Sequence, residues 1–415
     1  MVAMKHWWIG CGVWLAALVI APAVWGQDSS EIGALREQVE ALTERVNALS
    51  LGEAGGMGGA RIGGYAEMHY NAPEDGTTQL DFHRFVLLIS KPISDWIFFN
   101  SEVELEHAFV EGGEEAGELE LEQAWLQFQL NPTLGVRAGI VLAPVGLINP
   151  RHEPTSFYGV ERPDFHRVII PTTWFDYGAG VVGQAGDVSY EAYLMSPLDA
   201  NGFRGSDAIR SGRQKAFESE TESLAITGMA RYRLPGVAVG LSFWRGNSLS
   251  DAVQECAAHP SSGEEDDESG CANTEKVNID SIVVTVYALD VEAQAGIFQL
   301  RAEYAAGTIE DSDKLNAITG RGAPSAFNGF YVEPSARVWQ SGDHSVGVFA
   351  RYEDLNPQAE VKGGSVDDSF NFVKTVAGVN YWPHPDVVIK GDVEQREPKE
   401  GDSTQGFNLG LGWVF

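Results

Sequence analysis

The nine residues Phe407-Asn408-Leu409-Gly410-Leu411-Gly412-Trp413-Val414-Phe415 end the chain. Large apolar side chains alternate here with small or polar ones. Because successive side chains of a strand point to opposite faces, the alternation predicts a strand with one apolar face. That face carries Phe407, Leu409, Leu411, Trp413 and Phe415. Termini usually fray in water, so a large apolar terminal strand indicates a sheet whose outer face is apolar.

The terminal strand resembles the C-terminal signature of bacterial outer-membrane β-barrels, in which the last strand ends in Phe and closes the barrel. Only helices and closed barrels satisfy every backbone group in lipid. After the N-terminal region the chain has no apolar run of the ~20 residues that a membrane helix needs. We therefore expect a barrel in which Phe407–Phe415 pairs with a first strand near Ile62–Tyr70.

The N-terminus has the organisation of a secretory signal peptide. Lys5 precedes an apolar run from Ile9 to Ile20, and small residues follow at Ala21, Ala23 and Gly26. We predict a signal peptide over residues 1–26, with cleavage after Gly26 or, alternatively, after Ala23. A single membrane anchor is the other interpretation, but the run is shorter than a membrane helix requires.

The charge balance excludes one class of function. The chain has 28 basic and 59 acidic residues, and its formal net charge is −31. A nucleic-acid-binding surface needs an excess of Lys and Arg, so we expect no nucleic-acid partner. The excess of acid is typical of an exported protein with acidic loops.

Two cysteines remain after the signal peptide. Cys256 and Cys271 flank the acidic segment 263–268. In an oxidising compartment, two cysteines that close one loop predict a disulfide. These thiols and His259 are too few for a zinc site, so the sequence predicts no metal site and no cofactor.

A short helical segment follows the signal peptide, over residues 27–51. Its apolar residues follow 3-4 spacing, which predicts a periplasmic coiled-coil helix that oligomerises. Such a stripe favours a parallel dimer by itself, whereas a trimeric barrel below it would impose a trimer, which we favour. A helix that lies against the barrel or plugs it is the alternative. Residues 52–60 form a Gly-rich linker. The stripe residues are Ile32, Leu35, Val39, Leu42, Val46 and Leu49.

From residue 61 to residue 415 the chain consists of strand patterns separated by turns. Sixteen strands give the even number that bacterial barrels require. Short connections alternate with long ones, as in barrels with periplasmic turns and extracellular loops. A soluble β-sandwich is the alternative. We predict the strands near 62–70, 80–90, 95–107, 119–130, 134–142, 177–185, 187–195, 222–233, 236–245, 278–288, 291–304, 328–340, 344–354, 370–382, 386–396 and 405–415.

Two details qualify the strand pattern. Pro334 lies inside the twelfth strand, where it removes a ladder donor, so it predicts a bulge or a later start of that strand. In the third strand, Glu102 and Glu104 lie on the face opposite the apolar residues. We therefore place these two glutamates on the lumen side.

The long connection 143–176 carries a family resemblance. At Arg137-Ala138-Gly139-Ile140 through Pro144-Val145-Gly146, and again at Glu161-Arg162, the chain resembles the phosphate-selective porin O and P family. The resemblance implies a sixteen-stranded, usually trimeric outer-membrane channel with loops folded inward. The basic residues to which that family's phosphate selectivity is attributed have no residue-by-residue match here. We therefore expect general or weakly selective diffusion.

Basic residues in two long connections are the candidates for a pore constriction. In a narrowed lumen a few charges select ions by sign, because water screens them less there. The alternative is exposed loops whose arginines bind lipopolysaccharide phosphates or neighbouring acids. The candidates are Arg151, Arg162, His166 and Arg167 in one loop and Arg204, Arg210, Arg213 and Lys215 in another, with Glu102 and Glu104 on the wall.

These observations predict an outer-membrane porin for small hydrophilic solutes or ions, and one interpretation of its basic loops is a preference for anions. No Gly-x-Ser-x-Gly, His-Glu-x-x-His or phosphate-loop motif occurs, and we predict no enzyme. The alternative is a structural protein that tethers the membrane to peptidoglycan through the coiled coil. Expected partners are outer-membrane lipid, lipopolysaccharide, the outer-membrane assembly machinery and further copies of the chain.

Overall fold

The structure is a computed structural model that describes residues 59–110, 117–259, 261 and 271–415. The predicted signal peptide, the coiled-coil helix and its stripe, most of the glycine linker and the acidic segment 263–268 lie outside the described residues.

The described residues form sixteen antiparallel strands in a closed barrel, each paired with its neighbours in sequence. The all-β fold and the strand number are those predicted from the sequence. The strands are β1 Arg61–Pro73, β2 Gln79–Ser94, β3 Ile97–Glu106, β4 Glu118–Asn131, β5 Leu134–Leu142, β6 Phe175–Ala185, β7 Val188–Met195, β8 Ala225–Leu234, β9 Val237–Asn247, β10 Val283–Ala295, β11 Phe298–Ile309, β12 Ala326–Ser341, β13 His344–Glu360, β14 Phe372–His384, β15 Val387–Pro398 and β16 Thr404–Val414.

The pairing of β1 with β16 closes the barrel, as the terminal stripe predicts. The register runs from Tyr65 opposite Val414 to Pro73 opposite Gly406. Phe415 continues the ladder: its N–H donates to the Gly64 carbonyl at 2.9 Å, and its carbonyl accepts from the Gly64 N–H at 2.8 Å. The Phe415 ring stacks on Phe85 of β2 at 5.5 Å. The last residue of the chain is therefore part of the sheet.

Two expectations from the sequence differ from the structure. The turn between β10 and β11 lies at residues 296–297, several residues later than the predicted 289–290. Its signal is Gly296, which has φ +58°, whereas the apolar run before it has no turn residue. Pro334 lies at neither a bulge nor a strand start; it pairs with Leu300 of β11. The pairing of β12 with β13 is interrupted at residues 333–334 instead.

Side chains alternate between the two faces of the wall. On β10, Tyr287 and Leu289 are exposed on the outside, whereas Ala288 between them and Asp290 after them are buried inside. The same alternation recurs along the other strands and gives the outside large exposed apolar residues. Among the residues that the structure describes, no helix has both the length and the apolar character needed to cross a membrane.

The long connections carry three short helices in the described part of the chain: α1 Phe165–Val168, α2 Asp251–Ala258 and α3 Ser312–Thr319. The predicted disulfide is present between Cys256 of α2 and Cys271, whose Cα atoms are 5.4 Å apart. The apolar core joins these helices to the strand ends of β8–β12 and to the connection that contains α1. The long-loop end of the barrel is therefore packed.

Candidate pore constriction

The connection between β5 and β6, residues 143–174, folds into the barrel and is called the inner loop here. Its proline, glycine and small residues give few regular hydrogen bonds within the loop, so its backbone groups find partners on the wall. Three of its N–H groups donate to buried carboxylates: Leu147 to Glu303 of β11 at 3.1 Å, Phe165 to Glu353 of β13 at 2.8 Å, and Val160 to Asp392 of β15 at 2.6 Å.

Carbonyl groups of the same loop accept hydrogen bonds from the wall. The donors are Arg301 of β11 to Ser156, Asn380 of β14 to Tyr158, and Lys390 of β15 to Gly159, at 2.5, 2.9 and 2.8 Å. A wall that supplies both donors and acceptors fixes the loop backbone in one position, because each buried group would be costly to leave without a partner.

The inner loop also contacts the opposite side of the barrel wall. Glu161 receives a hydrogen bond at 2.9 Å from His69 of β1. His152 lies 3.1 Å from Glu122 of β4. Since β1 and β4 lie far from β11 and β13 in the strand order, the inner loop spans the inside of the barrel.

Apolar residues hold the last third of the inner loop. Phe165 packs at 5.4 Å on Tyr331 of β12, and Trp174 packs at 5.5 Å on Trp244 of β9. All four side chains are almost completely buried. Burying such rings stabilises the fold by roughly 1.5–3 kcal/mol each. This sector of the lumen is therefore filled with apolar side chains.

The four basic candidates of the inner loop have different surroundings. Arg151 is half exposed and donates at 2.8 Å to Glu292 of β10, and Arg167 is half exposed beside Asp164. Arg162 donates to the carbonyl of His152 at 3.3 Å. His166 is fully buried, 2.8 Å from Glu303. The prediction that His166 faces the pore is therefore wrong, because the apolar core encloses its ring.

The second set of candidates lies in residues 196–224, between β7 and β8, called the basic loop here. Arg204 is half exposed beside Asp207. Arg213 donates to the carbonyls of Thr172 and Thr173 at 2.6 and 2.8 Å and so joins the basic loop to the inner loop. Lys215 bridges two glutamates of β4, Glu118 (2.5 Å) and Glu120.

Arg210 is the member of this set whose charge is least compensated. Its Nη1 atom is buried and has no hydrogen-bond partner among the described residues. Burial, together with the positive charges of Arg213 and Arg167, lowers the pKa of Arg210 to about 9. A guanidinium normally keeps its charge, so burial beside two other arginines is unfavourable for this group. The two loops thus bring Arg167, Arg210 and Arg213 together.

A second group of arginines lies nearer the short-turn end of the barrel. Arg151, Arg231 of β8 and Arg301 of β11 converge on Glu292, at 2.8, 2.8 and 3.4 Å. Arg231 also contacts Asp290. Arg231 and Arg301 were not among the constriction residues predicted from the sequence. Alternation on β8 and β11 could have placed both on the lumen side, but their convergence depends on the register.

Six glutamates form a row on β3 and β4. Glu104 lies opposite Glu120 and Glu106 opposite Glu118 in the ladder. Glu102 and Glu122 continue the row. Like charges opposite each other destabilise a sheet, so the row needs counterions. Glu102 and Glu104 are buried: Glu102 lies against His152, and Glu104 lies against Arg84. Their role in the constriction stays a prediction.

Three histidines that look scattered in the sequence are neighbours on β1, β2 and the end of β3. His69 stacks on His83 at 4.4 Å, and His83 meets His107 at 5.7 Å. Asp81 accepts from His83 and His107, and His69 lies between Glu67 and Glu161. Only the strand register, which the sequence does not reveal, brings these rings together.

Comparison with known proteins agrees with this architecture. No family model matches the chain. OmpT of Vibrio cholerae in its trimer form superposes with a TM-score of 0.54, at 10% identity, over 86% of this chain and 99% of that one. An anion-selective porin from Comamonas acidovorans gives 0.53 and 12% over the same shares. The outer membrane channel DcaP of Acinetobacter baumannii gives 0.54 and 10% over 87% and 99%. The shared feature is the barrel fold of porins.

Sequence similarity provides a closer relationship. An uncharacterized protein of Aquifex aeolicus (strain VF5) is 31% identical over 379 residues, which are 86% of this chain and 80% of that protein. The chain therefore belongs to the family of this Aquifex aeolicus protein.

Proposed function

We propose that this protein is an outer-membrane channel through which small hydrophilic solutes and ions diffuse passively, with the inner loop as its constriction. The observation that carries the proposal is the path of the inner loop. Ordered wall contacts on β1, β4, β11, β13 and β15 hold it across the lumen. A fixed loop that reduces a sixteen-stranded lumen gives a narrow pathway lined by charges.

We further propose that the pathway prefers anions. Arg167, Arg210 and Arg213 lie at the long-loop side of the inner loop, and Arg151, Arg231 and Arg301 lie toward the short-turn side. Each group has more positive than negative charge in direct contact. The preference agrees with the resemblance of Arg137–Gly146 and Glu161–Arg162 to the phosphate-selective porin O and P family.

The acidic row on β3 and β4 is partly neutralised by neighbouring cations. Arg84 lies 3.6 Å from Glu104, and Lys215 bridges Glu118 and Glu120. Salt screens the remaining carboxylates beyond the Debye length, about 10 Å at 0.1 M. We therefore propose the anion preference for the parts of the pathway beside the two groups of arginines.

The test is a planar-bilayer measurement on the purified full chain in a dilute KCl gradient, where screening is weak. The wild type is expected to give stepwise conductance and a reversal potential on the chloride side. Changing Arg210→Gln and Arg167→Gln together is expected to lower the chloride-to-potassium permeability ratio by about twofold or more.

Arg204→Gln is the matched control, because Arg204 belongs to the same loop but is exposed and paired with Asp207. It is expected to leave the permeability ratio unchanged. Absence of conductance steps would refute the channel itself. Equal ratios in the wild type and the double variant would refute only the anion preference.

We also propose a homotrimer in the outer membrane, with lipid, lipopolysaccharide and the outer-membrane assembly machinery as partners and the N-terminal segment in the periplasm. The trimer form of Vibrio cholerae OmpT supports this assembly. Attachment to peptidoglycan through residues 27–51 stays the second hypothesis. Deleting residues 27–60 is expected to preserve conductance and, if the tether exists, to release the protein from purified cell-wall sacculi.

A further inference from the structure

We propose that Glu102, Glu122 and His152 bind a divalent transition-metal cation such as Zn²⁺, which fastens the inner loop to the barrel wall. The site goes beyond the proposed channel function and does not depend on it. It joins three elements, because Glu102 belongs to β3, Glu122 to β4 and His152 to the inner loop.

The geometry is that of three ligands around one position. One ligand atom of each residue lies within 4.8 Å of the others. The Nε2 atom of His152 is 3.1 Å from Glu122 Oε2 and 3.5 Å from Glu102 Oε1. Ligands about 2.0–2.1 Å from a tetrahedral zinc ion are about 3.3 Å apart. The two measured separations lie on either side of that value.

The histidine is oriented as metal-binding histidines are. Its Nδ1 atom lies 3.0 Å from the carbonyl oxygen of Asn149, and a carbonyl only accepts, so Nδ1 carries the hydrogen. The lone pair of the neutral ring is then on Nε2 and points at the two carboxylates. A backbone carbonyl on the second nitrogen is the usual outer partner of a metal-bound histidine.

The carboxylates are held but incompletely satisfied. Glu102 accepts from the Tyr65 hydroxyl at 3.1 Å and from the Gln123 side chain at 2.5 Å, so its position is fixed. Glu122 is fully buried, and its Oε1 atom has no hydrogen-bond partner among the described residues. Leaving a charged buried acceptor without a partner costs several kcal/mol. A bound cation removes that cost.

Charge balance fits a dication. Two carboxylates carry two negative charges, which one divalent ion neutralises. The nearby Arg84 is already bound to Glu67 and Glu104.

The strand supplies Glu122 through a bulge. The register of β3 with β4 shifts between Glu102 and Val103. Glu102 pairs with Gln123 and Val103 pairs with Leu121, so Glu122 is the extra residue of the bulge. A bulge turns a side chain that regular alternation would place otherwise. Here it directs the carboxylate of Glu122 toward His152.

The ligand set indicates the class of metal. One imidazole nitrogen and two carboxylate oxygens suit Zn²⁺ and its first-row neighbours, whereas Ca²⁺ and Mg²⁺ prefer oxygen ligands alone. An ion at this buried site would hold the inner loop against β3 and β4, and the carbonyl of Asn149 and the side chains of Tyr65 and Gln123 would orient its ligands.

The test uses the full chain, purified in detergent, stripped with chelator and titrated with Zn²⁺. Elemental analysis after gel filtration is expected to give one zinc per chain. Glu122→Gln and His152→Gln are each expected to weaken binding at least tenfold. Zinc is also expected to raise the melting temperature of the wild type but not of these variants.

His166→Gln is the matched control. His166 and Glu303 form another buried histidine–glutamate pair between the inner loop and the wall, but no third ligand joins them in the described part of the chain. This variant is expected to keep its zinc. His83→Gln tests the histidine row separately and is expected to keep it as well.

Three results would overturn the proposal: no zinc bound at millimolar concentration, unchanged binding in Glu122→Gln, or binding lost in His83→Gln and kept in Glu122→Gln. Should the variants fail to fold, the wild type alone decides. Co²⁺ added in place of zinc is expected to show the visible absorption of a four-coordinate site, and a spectrum of octahedral aqueous cobalt would overturn the assignment.

Discussion

At the scale of single residues, Glu161 shows how one side chain fixes the inner loop. Burial alone would raise the pKa of Glu161, but the hydrogen bond from His69 and the positive charges of His69 and His83 outweigh burial and lower it to about 2. Asn71 donates a further hydrogen bond at 3.0 Å. A carboxylate with a lowered pKa stabilises the fold above its ordinary pKa of 4.5.

We predict that the contribution of Glu161 disappears in acid. It is complete above pH 4.5 and is lost as the pH falls from 4.5 to about 2. The difference in thermal stability between the wild type and Glu161→Gln is therefore expected to be constant from pH 7 to 4.5 and to vanish near pH 2. A difference that stays constant below pH 3 would contradict this account.

Gly64 is a second important residue, because the barrel seam leaves no space for a Cβ atom there. A Cβ atom built there would lie 2.0 Å from the Val86 carbonyl oxygen and 2.8 Å from the Phe415 ring. Backbone atoms of a paired strand cannot move aside as a flexible side chain can.

We predict that Gly64→Ala prevents efficient closure of the barrel. The yield of heat-modifiable folded protein on gels is expected to fall several-fold. Gly391→Ala is the control, since its Cβ would lie 3.3 Å from the end of the Leu409 side chain and, in ordinary contact, 3.9 Å from the Asn408 carbonyl oxygen. Equal yields from the two variants would show that the contact at Gly64 does not limit assembly.

At the scale of elements, the sequence predicts those features of the fold that depend on local patterns. Sixteen strands, their closure and the disulfide follow from alternation, turn residues and cysteine spacing. The β10–β11 turn is misplaced because a run such as Val291–Ala295 alternates too weakly to show where a strand ends. Glu122 is missed as an inward residue because a bulge breaks the alternation on which the inference rests.

The candidate site is less predictable than the strands. Sequence places Arg210 and Arg213 in a basic loop but cannot say that Arg213 binds the carbonyls of Thr172 and Thr173, about forty residues away. The burial of His166 likewise depends on Phe165 and Tyr331 packing around it. Such contacts depend on register and loop paths, which have no periodic signature.

We predict that the Cys256–Cys271 disulfide stabilises the connection between β9 and β10, which contains α2. Closing a loop of about fifteen residues contributes about 3 kcal/mol in the chain-entropy model. Proteolysis of the folded wild type within this loop is expected to leave the fragments joined without reductant and separated with it. Cys256→Ser with Cys271→Ser should be cut faster near α2. Fragments that separate without reductant would contradict the bridge.

At the scale of the whole molecule, we propose that the inner loop narrows the lumen of the barrel. We predict that replacing residues 153–163 by three glycines raises single-channel conductance at least twofold, because the wall contacts of Tyr158, Val160 and Glu161 disappear. Deleting residues 363–365, in the exposed connection between β13 and β14, is the control and is expected to leave conductance unchanged. No increase in the first variant would show that the loop does not limit flow.

The tip of the inner loop has a consequence for the order of folding events. Val160 binds Asp392 of β15, and Glu161 binds His69 and Asn71 of β1, so two consecutive residues contact both sides of the seam that β16 closes. Asn71 also donates to Asn408 of β16. These anchors become available only after the first and last strands have met, more than three hundred residues apart along the chain. The inner loop can therefore make all of these contacts only after the barrel has closed.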